Sequence, residues 1–259
     1  MGRREKPSSR QRGTPASTGL LFLVFLCPAP ATPAAEPALR LHVAGIDADL
    51  RVTLVNDGAL AVRAFCMTAR NGQVGITEDL PPRPPLVAVG GTEVVTLPIQ
   101  SFAAADLDAE VRSFAVTCVE WEDGSVEGRP EHVAMLLQMQ AGRAFQLKRL
   151  LTMFDRIQRS ADADWSAALA GAAQWIAANG TALDGGARAE GSFASGMGSA
   201  NLGAQMALDS LQRLSVDSGI PAARDYLVRE ISRKRANGDF LARVKGLSAY
   251  GGEAGPRGR

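Results

Sequence analysis

The apolar residues of this chain keep two different periods, and the change falls at Pro130. Before it they come in short runs that alternate with polar residues or are closed by turn residues, as strands require. After it they recur at three- and four-residue steps, as on one face of a helix. With no helical period between the strands to carry parallel crossovers, the spacing predicts antiparallel pairing in the first half and a helical second half, an α+β chain.

Between residues 38 and 129 the runs are Leu39–Val43, Asp49–Val55, Ala61–Ala69, Thr92–Leu97, Val111–Trp121 and Val126–Glu127. Asn56-Asp57-Gly58 and Asn71-Gly72 read as turns because Asn and Gly tolerate positive φ. Pro81-Pro82-Arg83-Pro84-Pro85 cannot sit in a central strand, since proline has no ladder donor, so it is a crossing loop or a blunted edge. Glu122-Asp123-Gly124-Ser125 reads as a tight hairpin turn.

A strand, an Asn-Asp-Gly turn, a second apolar strand and a later strand introduced by Gly90-Gly91 together resemble bacterial extracellular immunoglobulin-like modules. The resemblance covers residues 38–129 and implies an antiparallel β-sandwich domain over 36–129 that binds, spaces or scaffolds. It departs from antibody-type domains, because no Trp lies between Cys66 and Cys118.

From Pro130 the stripe Val133, Leu136, Leu137, Ala144, Leu147, Leu150, Leu151, Phe154 and Ile157 predicts one long helix, with Arg143, Lys148, Arg149, Arg156 and Arg159 on its other faces. A second helix is expected over Asp162–Ala178, stopped by Asn179-Gly180. Residues 184–201 carry eight glycines and serines and read as a flexible connector or a poorly ordered helix start. Helical spacing resumes over Leu202–Leu214, from Pro221 to Asn237-Gly238, and over Phe240–Leu247. Residues 130–250 are thus expected to hold four to five helices, and 251–259 a disordered tail.

The N-terminal residues 1–35 read as an address. Five basic residues precede the run Leu20 to Cys27, which is too short for the roughly 20 apolar residues that span a bilayer. Small residues follow at Ala29-Pro30-Ala31 and Thr32-Pro33-Ala34, the order of a secretory signal peptide. Its removal leaves a net charge of −3 and no stable transmembrane span, a balance that favours neither nucleic acid nor a membrane surface. Residues 36–129 carry 14 acids and 7 bases, and residues 130–259 carry 12 acids and 16 bases.

Candidate chemistry is sparse. Cys66 and Cys118 are the two cysteines left after the signal, and in an oxidising compartment two thiols often pair. Their strands are either neighbours or face each other across the sandwich; both side chains also fit as small buried hydrophobes. His42 and His132 have no second ligand at metal-binding spacing. Gly191-Ser192-Phe193-Ala194-Ser195-Gly196 lacks nucleophile-elbow spacing, and Gly196-Met197-Gly198 lacks the third glycine of a dinucleotide fingerprint. Glu120, Glu122, Asp123 and Glu127 crowd one hairpin, where charge is solvated by default; calcium ranks ahead of catalysis for them. Asn179-Gly180-Thr181 is a sequon that a helix stop also explains, and Arg233-Lys234-Arg235 suits a helix C-terminus. The expectation is an exported, non-catalytic binding or scaffolding module of a bacterial envelope, with no cofactor or metal and no nucleic-acid partner. Its partner would be an envelope protein or polysaccharide. The alternatives are an enzyme with a site between sandwich and helices, or a small-ligand carrier in the helical half.

Overall fold

The structure, a computed structural model, describes residues 23–25, 39–46, 51–68, 74–96, 114–184 and 186–250. Among the described residues, eight strands form two antiparallel sheets. The first holds β1 (Leu23–Phe25), β4 (Val62–Thr68), β5 (Val74–Glu78), β7 (Ala115–Trp121) and β8 (Val126–Gly128) in the order β1-β5-β4-β7-β8. The second holds β2 (Leu41–Ile46), β3 (Arg51–Asn56) and β6 (Thr92–Thr96) in the order β2-β3-β6. Four helices follow: α1 (Pro130–Arg159), α2 (Trp165–Asn179), α3 (Gly191–Asp217) and α4 (Ile220–Leu241).

The five-stranded sheet is a middle layer. One face packs on the three-stranded sheet through Leu41, Val52, Leu54, Phe65, Met67, Val119 and Trp121. The opposite face packs on α1 through Ala64, Cys66, Val74, Ile76 and Cys118 against Met135, Leu136 and Met139. Every residue of β4 from Val62 to Met67 is therefore buried, which explains why that run is nearly continuous in apolar residues instead of alternating. Two register shifts, between Val62 and Ala64 and between Cys66 and Met67, change which side chains face each layer.

The turns follow the sequence. Buried Asn56 donates to the carbonyls of Leu60 and Ala88 and accepts from the Gly58 amide, so its side chain stands in for backbone partners. The proline segment crosses between the sheets, and buried Arg63 ties it down by donating to the Arg83 carbonyl at 2.8 Å. Gly124, at φ 78°, closes the β7–β8 hairpin, whose carbonyl accepts from the Lys245 amide at 2.8 Å. Strand β5 is absent from the sequence reading because Val74-Gly75-Ile76-Thr77-Glu78 is short and holds a glycine.

Residues 191–201, read as a connector or poorly ordered helix start, are the first turns of α3. Their small side chains serve helix packing. A Cβ on Gly196 would collide with the backbone at Met139, and one on Gly142 with the backbone at Phe193, so α1 and α3 touch through their main chains. The short last helix expected over Phe240–Leu247 is instead the end of α4, a turn, and one 3-10 turn at Leu247–Ala249. Of residues 1–35, only β1 is described, paired antiparallel with β5; the expected cleavage region, the Asn71-Gly72 turn and the tail from 251 lie outside the described residues.

Candidate functional site

Three strands place a row of side chains under α1. Glu78 on β5 and Glu120 on β7 are both register partners of Ala64 on β4, so the carboxylates flank its small methyl. Glu78 is in phase with Val74 and Ile76, and Glu120 with Cys118, so both occupy positions that otherwise carry apolar groups. From the helix come Gln140 and Arg143, one turn apart and in phase with Leu136 and Leu147. Arg143 pairs with Glu78 and donates to Ser199 Oγ on α3 at 2.5 Å, while Gln140 Nε2 donates to Glu120 Oε2 at 2.5 Å.

The site is sealed. Glu120 and Gln140 are 0% exposed and Arg143 8%. Burial raises the Glu78 carboxyl above its ordinary range against the pull of Arg143, and pushes Glu120 up to about 8, opposed by the Gln140 hydrogen bond. Glu78 Oε2, Glu120 Oε1 and Gln140 Oε1 have no hydrogen-bond partner, three acceptors in one buried cluster. A proton held by Glu120 supplies a donor where donors are lacking, which fits the direction of its shift. Arg143, expected on an outer face of the helix, is thus an inward ion-pair partner. A charge at that depth is retained only with its counter-ion.

The hairpin acids do not converge. Glu120 points to α1, Glu122 accepts from Arg63 at 3.0 Å, Asp123 accepts from Ser125 and from Lys245 Nζ, and Glu127 is exposed. Strand alternation and the turn explain the scatter. The Cys66 and Cys118 sulfurs lie 2.14 Å apart on neighbouring strands of one sheet, with Cα atoms 4.8 Å apart, not across the two sheets. His42 stands 3.4 Å from Asp57 on the exposed side of β2, and His132 is half-buried with its pKa lowered by burial. No group of three or more metal-ligating side chains occurs among the described residues. Lys234, from the basic stretch, is buried over the Phe154 ring, and burial lowers its pKa to about 8. Asn179 ends α2, its amide donating to the Trp175 carbonyl.

A second feature lies between α1 and α2. A groove of about 460 Å³ is lined by Arg149, Thr152, Met153, Arg156 and Ile157 of α1 and by Ala168, Gly171, Ala172 and Trp175 of α2. It exists because α2 presents small side chains to a helix carrying long ones. Arg149 sits over the rings of Trp175 and Phe145 at 4.9 and 5.4 Å and donates to the Ala182 carbonyl at 2.7 Å. Glu78, Gln140 and Trp175 escaped the sequence reading, which placed Arg149 only on an outer face of the long helix. The signal for the first two is a polar residue in phase with an apolar run. Searches against protein-family models, curated proteins and solved structures find no match to this chain.

Proposed function

We propose that the protein is an exported, non-catalytic binding or scaffolding module of the bacterial envelope, its N-terminal half an immunoglobulin-like sandwich adapted to carry helices on one sheet. The observation that supports this reading is the placement of Glu78, Glu120, Gln140 and Arg143. These buried functional groups are spent on joining the sheet to the helix. A general acid or base must come within hydrogen-bond reach of a substrate proton, and these side chains are shut between sheet and helix. The basic N-terminus and short apolar run support export. The test is cell fractionation with N-terminal sequencing of the mature chain. A start between residues 32 and 36 in the envelope fraction supports the proposal, and an intact Met1 or Gly2 in a cytosolic pool overturns it.

The groove between α1 and α2 favours a second reading, a carrier of small ligands in the helical half. Its volume falls in the range of small-molecule sites, about 300–1,000 Å³.

A further inference from the structure

We infer that the α1–α2 groove binds an amphiphile with one anionic head and an apolar body, a fatty-acid-type carboxylate, with Arg156 receiving the head. This deepens the carrier reading and rests on it, and it is independent of export.

The apolar lining of the groove is Met153, Ile157, Ala168, Ala172 and Trp175. Two of its nine lining residues are arginines, seven apart on α1 and so two turns along the same face, and none is acidic. Arg149 is fixed by the Ala182 carbonyl and by stacking on Trp175, so its guanidinium is held in place before a ligand arrives. Arg156 is exposed, and among the described residues no hydrogen bond or ion pair engages its guanidinium. A nearby carboxylate, Asp155, is already paired with Arg235, so it does not neutralise Arg156. A cation without a counter-ion at the mouth of an apolar groove matches one anionic group attached to an apolar chain. A neutral apolar ligand would leave Arg156 unused, and a polyanion would leave the apolar lining unused.

Gly171 provides the control. It lines the groove, is exposed, and an added Cβ there meets nothing within 4 Å. Gly171→Phe therefore has open space at its Cβ and adds a bulky ring to the groove from α2, and removing a mid-helix glycine favours the helix.

The experiment titrates the full chain with decanoate, decyl glucoside and decyltrimethylammonium below their micelle concentrations, read by calorimetry and by tryptophan emission, since Trp175 lines the site. Decanoate is expected to bind one per chain, on the order of tenfold tighter than decyl glucoside, and the cation weakest. Arg156→Ala is expected to weaken decanoate about three- to fivefold, as for an exposed charge pair, and to leave decyl glucoside unchanged. Gly171→Phe is expected to abolish binding of all three while the helical circular-dichroism signal is kept. Equal binding of the neutral and anionic probes overturns the anionic-head inference but leaves the carrier reading standing. Binding that survives Gly171→Phe, or no binding of any probe, overturns both.

Discussion

The carboxylate of Glu78 and the guanidinium of Arg143 meet across the join between the β-sheet and the first helix, both nearly excluded from solvent. One comes from the acidic half of the chain and the other from the basic half, so the charge difference between the halves is used at their interface. Removing one partner strands the other in a low-dielectric site. Arg143→Met is expected to destabilise the fold by about 3–5 kcal/mol. Adding Glu78→Leu to it should recover most of that loss, because burying two apolar groups there is close to neutral. Urea unfolding of both singles and the double is the check. A double variant as weak as Arg143→Met alone contradicts this account.

Glu120 makes stability depend on pH. Its folded pKa, about 8, lies above its ordinary 4.5, so the folded state holds a proton that the unfolded chain releases. Its contribution is fully present below about pH 4.5 and is lost as pH rises towards 8. Glu78 and Asp79, also raised by burial, act in the same direction. His132 acts oppositely, since its lowered pKa removes stability as pH falls below 6.5. Unfolding free energy should therefore decline between pH 6.5 and 8, and Glu120→Gln should flatten the decline by roughly 2 kcal/mol at most. A variant with the wild-type slope counts against the assignment.

Much of the strand half was legible because turn residues punctuate it and the apolar period is two. The missing strand, Val74–Glu78, hid Glu78 with it, since a glutamate at the end of a glycine-containing pentapeptide has no visible partner until Arg143 is brought over it. Arg143 was placed outside because charged residues are solvated by default; only the tertiary ion pair reverses that. The glycines of α3 misled for a related reason. Gly191, Gly196 and Gly198 are weak helix formers locally, and only the neighbouring α1 reveals why one of them must stay small.

That requirement separates the glycines experimentally. Gly196→Ala and Gly142→Ala push a methyl into the facing backbone and should each cost about 1–3 kcal/mol or more. Gly198→Ala and Gly203→Ala meet nothing within 4 Å and sit inside the same helix, so each should be neutral or stabilise by up to about 1 kcal/mol. Thermal melts of the four variants distinguish the two pairs.

Limited proteolysis reports the same correction. With residues 191–201 helical, early cleavage between α2 and α3 should fall within residues 180–190, not throughout 184–201. A fragment ending at Arg129 should aggregate, because it would bare Ala64, Ile76 and the other side chains that α1 covers. A soluble, protease-resistant 36–129 fragment would show that the two sheets do not need the helix.

Cys66 and Cys118 are direct register partners on adjacent strands, fully buried beneath α1, with Cα atoms 4.8 Å apart. That separation lies within the 4.4–6.8 Å range that a disulfide spans, so no backbone movement is needed to close one. A bridge would close a loop of 52 residues, and in the chain-entropy model that stabilises the fold by about 4 kcal/mol. Thiol counting under denaturing, non-reducing conditions should find no free thiol from this pair, and two after reduction. Reduction of the native protein should be slow, since the sulfurs lie between sheet and helix and a reductant reaches them only through opening. Replacing both cysteines with Ala should cost more in stability than two lost sulfur atoms explain, because the unfolded chain regains its freedom. Two thiols in the unreduced protein would rule the bridge out and leave the pair as small apolar residues under Met135 and Met139.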